Sequence, residues 1–526
     1  MLRRVLLVAV VAACSIVFLA PPGARAADPA HDALARHAAF TGRADGLVTT
    51  YHLVRVPPTP APGASPTPVP SAAAAPAPSF PPAEITTYRR GALYHTVERA
   101  QGVSTEAGFN GRAFWTSNEN RYTVLALEDA AKRAITENAF ETQQFGGDAE
   151  VRSRGTQTID GTQADVVRVT PKGGVPMDVA IDASGAGVQV TYDPDVPYRK
   201  EVQRITGYTE IAPGVRIPSG FKAGRNSTFT LVRGAVRPVS DDELRGPAPI
   251  PVWSFGSAGA PIEIHRRTYS GGREVILHAS VNGHPGTFLL DSGASQILLY
   301  RPYADKLGLA MLGNTSYSGI NGGVRTSRFA RADTIAVGDS TLSNVIVAVP
   351  QREVKDTVDG IIGFDLLAGA VVHVDLVHET IAFGDPAQVQ PTVGKGAFAF
   401  PVSLSDNTPE VRVKVAGIET RATFDTGDDF FMSLSDSLKT SGRLVSVSQT
   451  LRYFTGVDGI TTEPQSCYDI KESSIGPYRY ENVTICLGKE SVFGKDGGLI
   501  GFDFLRHFNW TFDYPRSRVV LTPNGL

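Results

Sequence analysis

Apolar and polar residues alternate along much of this chain, the pattern of half-buried β-strands. In residues 27–245 the runs are 47–56, 121–127, 164–169, 175–181, 188–192 and 229–232. Turn signals such as Asp160-Gly161 and Pro213-Gly214 fall between them. Residues 128–143 carry a helical pattern instead. The region therefore predicts an antiparallel sheet with a helix or two. Residues 57–82 interrupt it and are almost wholly Pro, Ala, Ser and Thr. Such a stretch cannot bury a core and predicts a disordered loop. The flanking runs, Val54–Val56 and Glu84–Tyr88, read as the two strands of a hairpin that this loop joins.

Residues 246–261 open with Gly246-Pro247-Ala248-Pro249-Ile250-Pro251 and read as a linker. The rest of the chain contains an internal duplication. An apolar strand runs into Asp291-Ser292-Gly293 in one copy and into Asp425-Thr426-Gly427 in the other. A hairpin turn precedes each, at Asn282-Gly283 and Ala416-Gly417. A glycine-rich tip follows, Gly319-Ile320-Asn321-Gly322 in the first copy and Gly456-Val457-Asp458-Gly459 in the second. Asn-Gly and Asp-Gly are strong hairpin signals, so each tip predicts a hairpin of its own. Then Ile361-Ile362-Gly363-Phe364-Asp365 matches Leu499-Ile500-Gly501-Phe502-Asp503, and the strands ending in Asp375 and Asp513 close each copy.

These landmarks resemble aspartic proteases of the retropepsin and pepsin type, over residues 263–526 with two lobes in one chain. The resemblance implies a mainly β, bilobal acid-protease fold, with lobes 262–393 and 394–526. It implies that Asp291 and Asp425 form a catalytic dyad. Ser292, Gly293, Thr426 and Gly427 would support it, and residues 319–322 and 456–459 would act as substrate-binding flaps. The chemistry agrees with the residue types. Two adjacent carboxylates cannot both ionise, so one can activate water while the other holds a proton; pepsin is the usual illustration. Asp428 and Asp429 depart from the family pattern, which has a small or hydroxylated residue after the triplet. The expectation is that Asp428 points away from the dyad and raises its pKa modestly. Asp365, Asp375, Asp503 and Asp513 read as structural, and His373 and His507 as packing or surface residues.

Residues 108–118 and 159–167 resemble bacterial lipoprotein-carrier-like domains, curved sheets that cup a lipid chain or a peptide. No zinc-protease HExxH, no GxSxG and no P-loop occurs in the chain. No metal or cofactor is expected.

At the N-terminus, Arg3-Arg4 precede an apolar run from Val5 to Ala20, and Ala24-Arg25-Ala26 has the form of a cleavage site. Residues 1–26 thus read as an export signal, with lipidation at Cys14 the lesser alternative. Removing them takes away three arginines and no acid, so the net charge falls from −3 to −6. That balance gives no reason to expect nucleic acid or an anionic membrane as partner. Cys467 and Cys486 are left and predict one disulfide across neighbouring strands.

The reading is an exported aspartic endopeptidase, periplasmic or secreted, acting on peptide or protein substrates. It has no stable membrane span after processing and needs no dimer to complete its site. Two alternatives stand beside it: an inactive protease fold that grips peptides, or a lipid carrier working through residues 27–245.

Overall fold

The computed structural model describes residues 28–55, 82–145, 148–196, 200–224, 226–266, 272–318, 324–351, 357–441, 449–452, 455–456, 459–460, 465–489, 493 and 497–525. They form two compact units. One takes the residues up to Ser117 and those from Leu125 to Pro247. The other takes Ala248 onward, together with the short segment Asn118–Val124. Among the described residues, no helix is long and apolar enough to cross a membrane.

The first unit is built on a thirteen-stranded sheet of antiparallel pairings. Gly46–Arg55 lies between Ala83–Arg90 and Ser227–Val236. The strands on either side of the Pro/Ala-rich loop therefore pair, as expected, while the loop (57–81) lies outside the described residues. The helix Glu128–Thr142 forms where its pattern predicts. The second helix that the pattern allowed for is Pro29–Thr41, in a stretch to which no element was assigned. It starts at Asp28, whose side chain accepts from Ala30 N at 3.1 Å, with Pro29 in the first turn, where its missing N–H costs nothing. Ala30 and Ala33 of that helix share one apolar cluster with Val167, Val179, Ile181 and Tyr192 of the sheet. The buried Arg89 is compensated by an ion pair to Glu141 and a 2.7 Å bond to Asn138.

In the second unit the duplicated sequence gives duplicated pairing. The hairpin Arg273–Val281/His284–Leu290 matches Glu410–Val415/Ile418–Phe424. Both turns have positive φ at both central residues, Asn282 (50°) and Gly283 (79°), then Ala416 (49°) and Gly417 (78°), the twist that two-residue hairpins need. The strand that delivers each aspartate pairs in parallel with a short buried strand, Leu290 with Ile362 and Phe424 with Ile500. Each short strand ends at a glycine, and a one-turn helix follows (Phe364–Ala368, Phe502–Leu505).

The two halves join through a six-stranded sheet, with Val371–Asp375 against Phe508–Asp513 at its centre. Trp510 and Phe512 are fully buried there. Side chains of this kind each contribute roughly 1.5–3 kcal/mol by leaving water. One apolar core runs through both halves.

Two expectations need correction. Within 121–127, only Thr123–Leu125 is strand. Asn118, followed by a tight turn, diverts the chain beforehand, because its side chain and backbone cap Tyr122 N and Arg121 N. The 246–261 stretch is not all linker. Val252–Ser254 pairs with Thr341–Ser343, and Ala260 begins another strand. The Pro-rich opening hid a short apolar run, and Trp253 packs on Phe255 and Phe383.

Cys467 and Cys486 sit directly opposite each other on antiparallel strands and are joined, as expected. Such a bond belongs to an oxidising, non-cytoplasmic setting.

Candidate active site

Each Asp triplet lies in a tight loop held from behind. Asp291 N donates to Ile362 O and Asp425 N to Ile500 O, both at 2.9 Å. Within each loop the carboxylate folds onto its own backbone. Gly293 N donates to Asp291 Oδ1 and Gly427 N to Asp425 Oδ1, both at 2.8 Å, and Asp428 N is a second donor to Asp425 Oδ1 at 3.2 Å.

The loops then interlock. Ser292 Oγ donates to Phe424 O at 2.7 Å and accepts from Thr426 N at 3.1 Å. Thr426 Oγ1 donates to Leu290 O at 2.7 Å and accepts from Ser292 N at 3.0 Å. Both hydroxyl residues are fully buried. Four hydrogen bonds made by these two buried side chains thus tie residues more than 130 positions apart. Leaving such buried groups unmade costs about 1–3 kcal/mol each.

This interlock sets the carboxylates against each other. A Cβ built on Gly293 would lie 2.6 Å from Asp425 Oδ1, and one on Gly427 would lie 2.7 Å from Asp291 Oδ2. Only glycine leaves room for the opposite acid. Two carboxyls held this close cannot both ionise, so the pair keeps a proton between them. Burial first, then the charge of Asp291, then that of Asp428, pushes the Asp425 carboxyl well above the usual range. The pair can therefore hold one proton and one charge together, the state that acid–base chemistry on a bound water requires.

Asp428 is held by groups that follow it in the chain. Its carboxylate accepts from Phe430 N at 3.2 Å and from Ser433 Oγ at 2.8 Å. Of the tip residues, Gly319, Ile320, Asn321, Gly322, Val457 and Asp458 lie outside the described residues. Gly456 and Gly459 pair with each other across two short antiparallel strands. His373 bonds Thr511 at 3.0 Å, a packing role. Asp513 is fully buried between Arg516 and Arg518. Among the described residues, no group of three or more His, Cys, Asp or Glu side chains gathers as metal ligands would.

Three residues around the site were not legible beforehand as part of it. Asp365 is buried and accepts from Ile297 N at 3.0 Å and Asn118 Nδ2 at 2.7 Å. Burial pushes its carboxyl up to about 7 against the lowering effect of its hydrogen bonds. Tyr514 is buried and stacks on Phe364. Burial, then the charges of Asp291 and Asp425, pushes its phenol well above its ordinary value, so it stays neutral. No local motif marks Tyr514.

Residues 277–366 match the family model described as aspartyl protease. That stretch is aspartyl-protease-like. It includes the Asp291 loop and the strand that ends at Gly363 behind it. No curated protein matches the chain. A crystal structure of a LolA superfamily protein from Nitrosomonas europaea aligns with a TM-score of 0.31 and 11% identity. The alignment covers 42% of this chain and 98% of that one.

Proposed function

We propose that residues 262–526 work as an aspartic endopeptidase in which Asp291 and Asp425 together activate a water for attack on a peptide bond. The observation that carries this reading is the reciprocal fit of each carboxylate over the other loop's glycine. The match of residues 277–366 to aspartyl proteases supports the first half of the site. The ionised member of the pair takes a proton from water, and the protonated member polarises the scissile carbonyl. The proton is shared, so neither aspartate is assigned one role alone. Ser292 and Thr426 hold the loops in register, and Gly293 and Gly427 keep the carboxylates close. Both loops come from one chain, so no second copy is required. The tips around 319–322 and 456–459 would close over an extended substrate and pair with its backbone. We further infer export to the periplasm or beyond. The Cys467–Cys486 bond supports this, as do the basic, apolar and small-x-small segments of residues 1–26.

The test is incubation of the mature protein with unfolded protein substrates across pH 3–8. Wild type cleaves them; Asp291→Asn and Asp425→Asn do not. Identical products from all three proteins would end the reading.

A further inference from the structure

The segment Asn118–Val124 is contributed from the N-terminal half of the sequence to the second unit. It makes three kinds of contact there. Asn118 Nδ2 donates to Asp365 Oδ1 at 2.7 Å, while its Oδ1 accepts from Tyr122 N, which fixes the orientation of the amide. Asn120 makes a two-point clamp on one residue of a strand edge. Its Nδ2 donates to Ile346 O at 2.8 Å and its Oδ1 accepts from Ile346 N at 2.7 Å. Tyr122 packs its ring edge-on against Phe364, with centroids 6.3 Å apart. Asn118, Asn120 and Tyr122 are all buried.

All three contacts lead to the Asp291 loop. Asp365 passes the Asn118 bond on, because its other oxygen accepts from Ile297 N at 3.0 Å, six residues after Asp291. Ile346 lies on the strand Ser340–Pro350, between the place where Val252–Ser254 pairs and the place where Ala348 meets Leu298. Asn120 therefore fills the gap in that edge just before the residues that leave the loop. Phe364 N donates to Ala294 O at 2.9 Å, so Tyr122 braces the residue that closes the loop from below. A buried carboxylate is tolerated only with its lone pairs satisfied, and Asp365 is held by Ile297 N from the loop and by the Asn118 and Asn120 side chains from the strap.

We propose that Asn118 and Asn120 are positioning residues for the Asp291 loop. The N-terminal sequence thereby supplies a strap without which the first half of the catalytic site loses its register. This rests on the protease reading for its consequence in turnover, though not for the strap itself.

The test uses the full chain. Asn118→Ser keeps an acceptor for Tyr122 N and loses the donor to Asp365; Asn120→Ala removes the edge clamp. Amide hydrogen exchange is followed in 291–299 and, as an internal reference, in 425–435. The expected result is exchange about tenfold or more faster in 291–299, with 425–435 unchanged. On cleaved substrate, kcat falls by a similar factor while KM stays within about twofold. Combining Asn118→Ser with Asp365→Asn should cost little more than the worse single change, since both act on one network. Unchanged exchange in 291–299, or an equal rise in both loops, would overturn the proposal. If wild type cleaves nothing, the protease reading fails, and the exchange result still decides the strap.

Discussion

The Asp291 and Asp425 loops share a backbone and differ in what stands behind it. Each aspartate N–H meets the carbonyl of the parallel strand at the same distance, and each glycine lies under the opposite acid. Each loop also has a buried carboxylate that accepts one of its later amides. For the first loop that acid is Asp365, from the short helix after Gly363, and it accepts from Ile297 N. For the second it is Asp428, inside the loop, and it accepts from Phe430 N. Position 294 in the first copy holds alanine, and the counterpart of Asp365 in the second copy is Asp503, which is exposed and 3.6 Å from Arg506. The duplication has kept the hydrogen-bond acceptor and moved the residue that provides it.

The move has electrostatic consequences. Asp428 adds charge beside Asp425 and helps raise its pKa. Asp365 supports its loop from farther along the chain and leaves room for Asn118. One loop is thus braced by its own sequence, and the other by a helix and a strap drawn from a distant part of the chain.

The largest test of what the loops share is Gly293→Ala or Gly427→Ala. Either methyl collides with the opposite carboxylate, and displacing it by about 1 Å should cost about 10²-fold or more in kcat. Near-equal losses would show that the pair is symmetrical; activity kept in one variant would break the comparison.

The next test separates the supports by pH. Asp365 keeps its proton in the folded state up to about 7, against an ordinary value of 3.8. The folded state therefore holds a proton that the unfolded chain releases. Stability from this group is complete below about pH 4 and declines as pH rises to about 7, at no more than about 1.4 kcal/mol per pH unit. Asp365→Asn should remove that decline, at a constant cost, because its amide nitrogen must face an N–H donor. Denaturant midpoints at pH 4, 5.5 and 7 read the difference; parallel curves for variant and wild type would count against it.

Asp428→Ala should cost about 1–3 kcal/mol by leaving Phe430 N and Ser433 Oγ unpaired. With one negative charge gone from beside the dyad, the higher-pH limb of the pH–rate profile should move to lower pH. An unmoved profile would remove Asp428 from the tuning of Asp425. Asp503→Ala, on the exposed counterpart of Asp365, should stay within about 0.5 kcal/mol.

The smallest effect concerns the hairpin turns. Ala416 takes the left-handed conformation that Asn282 takes in the first copy. Ala416→Asn should stabilise by up to about 1 kcal/mol, read as a raised melting temperature.

Much of this architecture was legible in advance. The strand runs at 164–169, 175–181 and 188–192 and the helix near 128–143 follow local periodicity, which neighbouring residues carry on their own. The helix Pro29–Thr41 was missed although Asp28-Pro29 is a start signal, because its apolar stripe is weak and rich in alanine. The strand expected at 121–127 shrank because Asn118 turns the chain to serve another unit. Asp365 and Asp503 looked alike in sequence, and burial alone distinguishes them.

The sequence by itself determined the two acidic turns, the hairpins before them, the glycine-ended strands behind them and the cysteines that pair. Each of these depends on residues close together in the chain or on an internal repeat. Only the tertiary structure decided that the loops interlock, that each carboxylate rests over the other's glycine, and that Asn118 and Tyr514 belong to the same neighbourhood. Those contacts join residues tens to hundreds of positions apart, and a hydrogen bond or buried charge between such residues leaves no local pattern to read.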